Sequence, residues 1–152
     1  METETFLPAL AELLRQGEQV TLPVSGSSMT PFLAPGRDRV LLQAPVFPLK
    51  RGDIALFKRD HGGYILHRVC KADRGVYYFV GDAQKTPEGP IGEAQICAAA
   101  VKVCRKGKWL GPDSLLWRFF AAVWLFLRPL RPGLIRAYCG LKGLLKGGVS
   151  HV

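Results

Sequence analysis

The chain has 152 residues, of which 48% are hydrophobic and 22% are charged. This length fits one domain of ordinary size with an appendage and excludes a large multidomain enzyme. The composition is too apolar for a disordered chain and more apolar than a freely soluble domain requires. We therefore expect part of the apolar surface to face something other than water.

The net charge of +9 lies entirely in the last third of the chain. Residues 1–101 hold eleven Lys and Arg against eleven Asp and Glu, whereas residues 102–152 hold ten Lys and Arg against Asp113 alone. A basic segment can neutralise the phosphates of nucleic acids or the headgroups of anionic lipids. Because this segment is rich in Trp, Phe and Leu, its composition favours lipid, and we expect no nucleic-acid partner.

A short helix is predicted at the N-terminus, within residues 1–18. The stretch from Phe6 to Arg15 has an apolar stripe at helical spacing, and Gly17 supplies a stop. About ten residues are too few to cross a bilayer, which needs roughly 20. The acidic start has no basic flank followed by a long apolar stretch, so we expect no secretory signal and a cytoplasmic compartment.

Residues 19–110 predict a compact, mostly antiparallel β domain that could close into a barrel-like shape. The apolar segments here are short, β-branched or aromatic, and separated by Gly, Pro and Asp at close intervals, which is typical of a mainly β fold. The candidate strands are Val20–Val24, Arg39–Leu42, Asp53–Lys58, Tyr64–Cys70, Val76–Val80 and Ile96–Val103.

Residues 111–152 predict one hydrophobic and one amphipathic helix that associate with a membrane. The run from Leu115 to Leu127 is apolar except for Arg118. As a helix it would extend about 20 Å, short of the roughly 30 Å hydrocarbon core. After a break at residues 128–133, apolar and basic residues separate onto two faces, as in a helix lying in an interface. We expect lipid contact through residues 115–147 at the cytoplasmic face, and the alternative is that the apolar helix docks on the β domain.

The four cysteines are scattered along the chain, without a Cys-x-x-Cys pair or a His at zinc-ligand spacing. We therefore expect free thiols, no metal site and no cofactor.

The strongest local signal is the segment Val24–Pro31, which reads VSGSSMTP. A hydroxyl becomes a useful nucleophile on a tight turn that leaves a strand, where Gly permits the turn and free N–H groups can hold an oxyanion. Ser28 fits this role, with Gly26 in the turn. A Ser/Gly cluster before Pro, taken alone, more often forms an ordinary loop.

Three further segments follow in order, namely Gly52–Ile54, Leu66–Val69 (LHRV) and Gly81-Asp82. Together with Ser28-Met29-x-Pro31, this order resembles the type I signal peptidases and the related self-cleaving LexA-type repressors, over about residues 20–104. The resemblance implies a signal-peptidase-like β fold and a serine endopeptidase that cleaves signal or leader peptides.

The resemblance also implies roles for individual residues. Ser28 matches the family's nucleophile, and His67 matches the base of the branch that uses His in a His-Arg-Val context. Asp82 matches one acidic residue of that branch and Glu88 approximately matches a second, and either could orient His67. A histidine with an unperturbed pKa near 6.5 could take the serine proton and return it to the leaving amine.

The sequence departs from the family in two ways. The motif reads Gly26-Ser27-Ser28-Met29, so the side-chain oxyanion donor two residues before the nucleophile is missing. The oxyanion hole would depend on the Ser28 N–H, with help from the Ser27 hydroxyl. Signal peptidases also carry a membrane span before the serine, and none is expected here.

Three functions therefore remain open. The first is a peptidase whose partner is a peptide or preprotein substrate, laid as an extra strand along the sheet edge. The second is a catalytically idle β binding module that its tail tethers to a membrane. The third is self-cleavage, which is disfavoured because the roughly 25 residues before Ser28 hold no Ala-Gly or Cys-Gly linker.

Overall fold

The computed structural model describes residues 2–147, with side chains from Leu7 to Leu144. The strands are β1 (Val20–Pro23), β2 (Arg39–Gln43), β3 (Ile54–Lys58), β4 (Tyr64–Asp73), β5 (Val76–Val80), β6 (Glu88–Gly92), β7 (Ile96–Arg105) and β8 (Lys108–Leu110). The helices are α1 (Glu2–Arg15), α2 (Leu115–Phe119) and α3 (Arg131–Gly147), with a π-helical turn at Phe120–Trp124 and 3-10 turns at Glu93–Gln95 and Arg128–Leu130.

The eight strands form one antiparallel sheet in the order β1-β2-β7-β3-β4-β5-β6, and β8 pairs with β7. The prediction of a mainly β fold with flanking helices is confirmed. The expectation of a closed barrel is wrong, because β1 and β6 stand at opposite ends of the order and do not pair. Closure requires the two end strands to meet.

The six predicted strands are present, and the sequence pattern missed two. β6 contains two Gly and one Pro, which are depleted in strands, and Pro is tolerated there because β6 lies at the edge of the sheet. β8 has only three residues and so carries almost no periodic signal. Glu88, one of the two predicted acids, is the first residue of β6.

Two groups of buried apolar side chains pack on the sheet. The first core cluster includes Leu10, Leu14, Met29, Phe32, Ile54, Leu56, Trp117, Phe120 and Trp124, and the second core cluster includes Ala55, Phe57, Val69, Tyr77, Phe79 and Ile91. Neighbouring residues of a strand point to opposite faces, so β3 supplies Ile54 and Leu56 to the first cluster and Ala55 and Phe57 to the second. α1 covers the first cluster.

The C-terminal segment packs on the domain along one side and leaves the other side exposed. Trp117, Phe120 and Trp124 are buried in the first core cluster, whereas Leu115 is 83% and Phe126 78% exposed. α3 then runs outward, with every side chain exposed from residue 136 to residue 144. Between residues 2 and 147 no helix is long and apolar enough to cross a membrane.

Candidate active site

Ser28 lies on a tight turn that begins where β1 ends. The backbone turns at Gly26, whose φ of +74° falls in the left-handed region that favours glycine. Thr30 then closes the turn, because its N–H and its hydroxyl both donate to the Ser27 carbonyl, at 3.2 and 2.7 Å. Ser28 is half-buried and Ser27 is exposed. The Ser28 N–H donates no hydrogen bond to any part of the chain that the structure describes, so it is free to bind an oxyanion.

A groove of about 1090 Å³ runs past Ser28. Its walls are the edge strand β1, the Ser28 turn, Leu56 of β3, residues 64–66 of β4 and the pair Ala83-Gln84. Most of these side chains are apolar, and β1 lies at the end of the sheet order, with a free strand edge beside the groove. The groove could therefore hold an extended peptide that adds a strand to β1.

His67 is a buried histidine of β4 with an unpaired ring nitrogen. It is 1% exposed, and its ring packs edge-on against Phe57, with the ring centroids 6.2 Å apart. Its Nδ1 has no hydrogen-bond partner among the described residues. Burial lowers the pKa of His67 to about 4, against its ordinary 6.5, so the imidazole is neutral at pH 7.

Glu88 lies on the same face of the sheet as His67. Glu88 pairs with Phe79 across β5 and β6, Phe79 pairs with Val69 across β4 and β5, and Val69 is two residues from His67 on one strand. The Glu88 carboxylate accordingly raises the pKa of His67, and the nearby Arg59 lowers it. Arg59 donates to both oxygens of Glu88, at 2.5 and 2.8 Å, and these bonds lower the pKa of Glu88.

Asp82, one of the two acids predicted to orient His67, pairs with Arg68 in the structure and does not contact His67. Both oxygens of the Asp82 carboxylate accept from Arg68 at 2.9 Å, and both side chains are fully buried. Arg68 also donates to the Gly52 carbonyl at 2.8 Å and lies 5.1 Å from the centre of the Phe32 ring. Since Arg68 follows His67 on the strand, it points to the opposite face.

The structure brings some of the predicted site residues together and separates others. Ser28 touches the segment after β5, because its carbonyl accepts the Ala83 N–H at 2.9 Å. The groove reaches Leu66, but the next residue, His67, points to the opposite face of the sheet, toward Phe57 of the second core cluster. The hydrogen bond expected between Ser28 and His67 is not formed, although the structure describes both side chains, and neither Asp82 nor Glu88 hydrogen-bonds His67.

Sequence reasoning did not identify three arginines that contact predicted site residues or their neighbours. Arg59 and Arg68 lie in the part of the chain with no net charge, and no local pattern shows that they pair with Glu88 and Asp82. Arg131 was counted with the basic tail, yet it is fully buried and donates to the carbonyls of Gly81 and Gln84 at 3.0 and 2.9 Å. Its position inside the break at residues 128–133, directly before Pro132, is a sequence signal that distinguishes it from the other basic residues of the C-terminal segment.

No protein-family model, curated protein or solved structure was found to match this chain.

Proposed function

We propose that the chain is a serine endopeptidase, similar to the type I signal peptidases, that cleaves signal or leader peptides at a membrane surface. The observation that supports it most is the position of Ser28, half-buried in the wall of an apolar groove that also borders a free strand edge. A peptide paired with β1 would pass this hydroxyl in an extended form, which is how a peptide bond is presented to a nucleophile.

Ser28 would attack the scissile carbonyl, and its own N–H would hold the oxyanion. His67 is the proposed base, in the neutral form that accepts a proton. Glu88, on the face of His67, is the proposed acid that stabilises the imidazolium. To act as this base, His67 would have to leave the face of the second core cluster and reach the groove when substrate binds.

A catalytically idle binding module is the second candidate. His67 lies on the face of the second core cluster, whereas Met29, which follows the nucleophile, packs in the first. The pKa of about 4 also makes His67 a weak base. A module of this kind would use the groove to hold a peptide without cutting it.

Labelling with a fluorophosphonate, which reacts with activated serines, separates the two candidates. The proposal expects one label per chain, at Ser28, and none in Ser28→Ala. Thr86→Ala is the matched control, because it removes an exposed hydroxyl that has no part in the groove. Absence of labelling in the folded wild-type protein would favour the idle module.

A cleavage assay tests the substrate class. N-terminal peptides are compared between cells that express the wild-type chain and cells that express Ser28→Ala. We expect leader peptides to be cut only with the wild-type chain, and equal processing in both would refute the assignment.

A further inference from the structure

The turn Gly81–Gln84, named here the bracket turn, lies between the Ser28 turn and the C-terminal segment. It is closed by the Gln84 N–H, which donates to the Gly81 carbonyl at 2.9 Å, and by the Gly81 N–H, which donates to Gln84 Oε1 at 3.1 Å. These two hydrogen bonds hold the four residues in one conformation, so a shift on one side of the bracket turn also shifts the other side.

One side of the bracket turn holds the nucleophile. The Ala83 N–H donates to the Ser28 carbonyl at 2.9 Å. A Cβ atom on Gly81 would collide with that same carbonyl, so the backbones approach as closely as glycine allows. A displacement of the bracket turn would therefore displace Ser28.

The other side is held by Arg131, the first residue of α3. Its guanidinium donates to the carbonyls of Gly81 and Gln84, at 3.0 and 2.9 Å, and twice to the Trp124 carbonyl, at 3.1 and 2.9 Å. It lies 5.4 Å from the centre of the Trp124 ring, and the Trp124 indole N–H donates to the Asp82 carbonyl at 2.7 Å. The C-terminal segment thus contacts three of the four carbonyls of the bracket turn.

A fully buried arginine is costly to place, because its charge loses water and must be matched by hydrogen bonds. Arg131 donates these hydrogen bonds to main-chain carbonyls of the bracket turn and of Trp124. Two of its four hydrogen bonds join the start of α3 to Trp124, and the other two go to the bracket turn. Without Arg131 the Gln84 carbonyl would lose its donor from the described part of the chain, and the Gly81 carbonyl would keep only the Gln84 N–H.

We propose that Arg131 is a positioning residue for Ser28, acting through the bracket turn, and this rests on the proposed function of Ser28 as nucleophile. The C-terminal segment is then part of the catalytic apparatus as well as the segment proposed to contact lipid. Any change in how α3 begins would be transmitted over two hydrogen-bonded contacts to the reactive serine.

The test measures amide hydrogen exchange and fluorophosphonate labelling in the full chain. In Arg131→Gln we expect exchange at the Ala83 amide and labelling at Ser28 to change by about tenfold, the first becoming faster and the second slower. The Val69 amide, which donates to the Asp53 carbonyl just before β3, is the reference and should be unchanged. Arg131→Lys keeps a donor and should restore part of both effects, which a role in bulk stability would not predict.

Arg136→Gln is the matched control, since it removes the same charge from an exposed position of the same helix. Normal Ala83 exchange and normal labelling in a folded Arg131→Gln variant would overturn the inference. If that variant does not fold, Trp124→Phe removes the indole donor to Asp82 and part of the ring that packs on the Arg131 guanidinium. Unchanged Ala83 exchange in that variant would overturn the inference that the C-terminal segment holds the bracket turn. If the wild-type chain is never labelled, the peptidase proposal is refuted. The exchange measurement would still decide whether Arg131 holds the Ser28 turn in place.

Discussion

At the scale of single residues, His67 is a buried titratable group whose pKa the fold lowers strongly. Its Nδ1 is buried and has no hydrogen-bond partner in the described part of the chain, and its ring packs against Phe57. The neutral ring tolerates this environment, but the imidazolium does not, because burial penalises the charged form. Protonation of His67 therefore favours the unfolded chain, in which the imidazolium is in water.

We expect His67 to make the fold less stable in mild acid. The pKa of His67 is about 4 in the folded chain, and an unperturbed histidine has 6.5, so the unfolded chain binds the extra proton between these values. The stability that the neutral His67 contributes is fully present above pH 6.5, and it is lost as the pH falls toward 4. Between pH 7 and 4.5 the wild-type chain should lose about 2 kcal/mol more of its free energy of unfolding than His67→Gln.

Urea denaturation at both pH values measures this difference. His61→Gln is the control, because His61 is exposed and lies in a turn. A direct NMR titration that places the pKa of His67 above 6 would contradict the prediction, and so would equal pH dependence in the two proteins.

The two acidic candidates should behave differently when they are removed. Asp82→Ala leaves the buried Arg68 without its carboxylate, so we expect a loss of about 3 to 5 kcal/mol in the free energy of unfolding. Glu88→Ala breaks a partly exposed pair with Arg59, and we expect a loss of about 1 kcal/mol or less. Thermal or chemical denaturation of the two variants measures both losses. A larger loss of stability in Glu88→Ala than in Asp82→Ala would contradict this prediction.

At the scale of elements, the contact between the Ser28 turn and the bracket turn joins residues from two different parts of the chain. The first turn leaves β1 and the second leaves β5, and these strands are not neighbours in the sheet. Their backbones meet because residue 81 has no side chain. This contact aligns the groove with the end of β5.

Gly81→Ala should therefore disturb Ser28 without unfolding the chain. Its Cβ would collide with the Ser28 carbonyl, and relief requires that one of the turns move. We expect the labelling rate to fall about tenfold and the free energy of unfolding to fall by about 1 to 3 kcal/mol. Gly111→Ala is the control, since the nearest atom to its Cβ would be Lys102 Cγ at 3.9 Å. Unchanged labelling in Gly81→Ala would mean that the turns are not coupled.

At the scale of the whole molecule, the C-terminal segment divides its apolar residues between the core and the surface. The exposed set is Leu115, Phe119, Val123, Phe126, Leu130, Leu134, Tyr138, Leu141 and Leu144. Exposed Arg118, Arg136 and Lys142 accompany it. An apolar surface of this size, bordered by cations, suits the interface of an anionic bilayer.

We expect the chain to bind vesicles that contain phosphatidylglycerol. Phe126→Ser should weaken this binding about tenfold, because a large apolar side chain contributes about 1.5 to 3 kcal/mol when it is buried. Raising the salt to about 1 M should weaken binding only in part, since salt screens the cations and leaves apolar burial intact. Val46→Ser, at a position that is 73% exposed outside the C-terminal segment, is the control. Vesicle co-sedimentation measures both effects, and equal binding by the Phe126 variant would contradict the role of the apolar surface.

The sequence by itself determined the local elements and the turn that holds Ser28. Six strands follow from short β-branched or aromatic segments separated by Gly, Pro and Asp, and the N-terminal helix follows from an apolar stripe at helical spacing. The positive φ of Gly26 follows from the need for a tight turn before Ser28. These features depend on neighbouring residues, so the pattern along the chain contains them. β6 has no such pattern, and its existence depends on pairing with β5.

Only the tertiary structure decided the partners of the charged groups. Strand register places Glu88 on the face of His67 and turns Arg68 toward Asp82, a choice that the sequence had left open. Arg131 reaches Gly81, fifty positions away, and so becomes a buried contact of the bracket turn instead of one more cation of the tail. Such pairings arise from which strands and helices meet in space, and one residue of register would reverse every face.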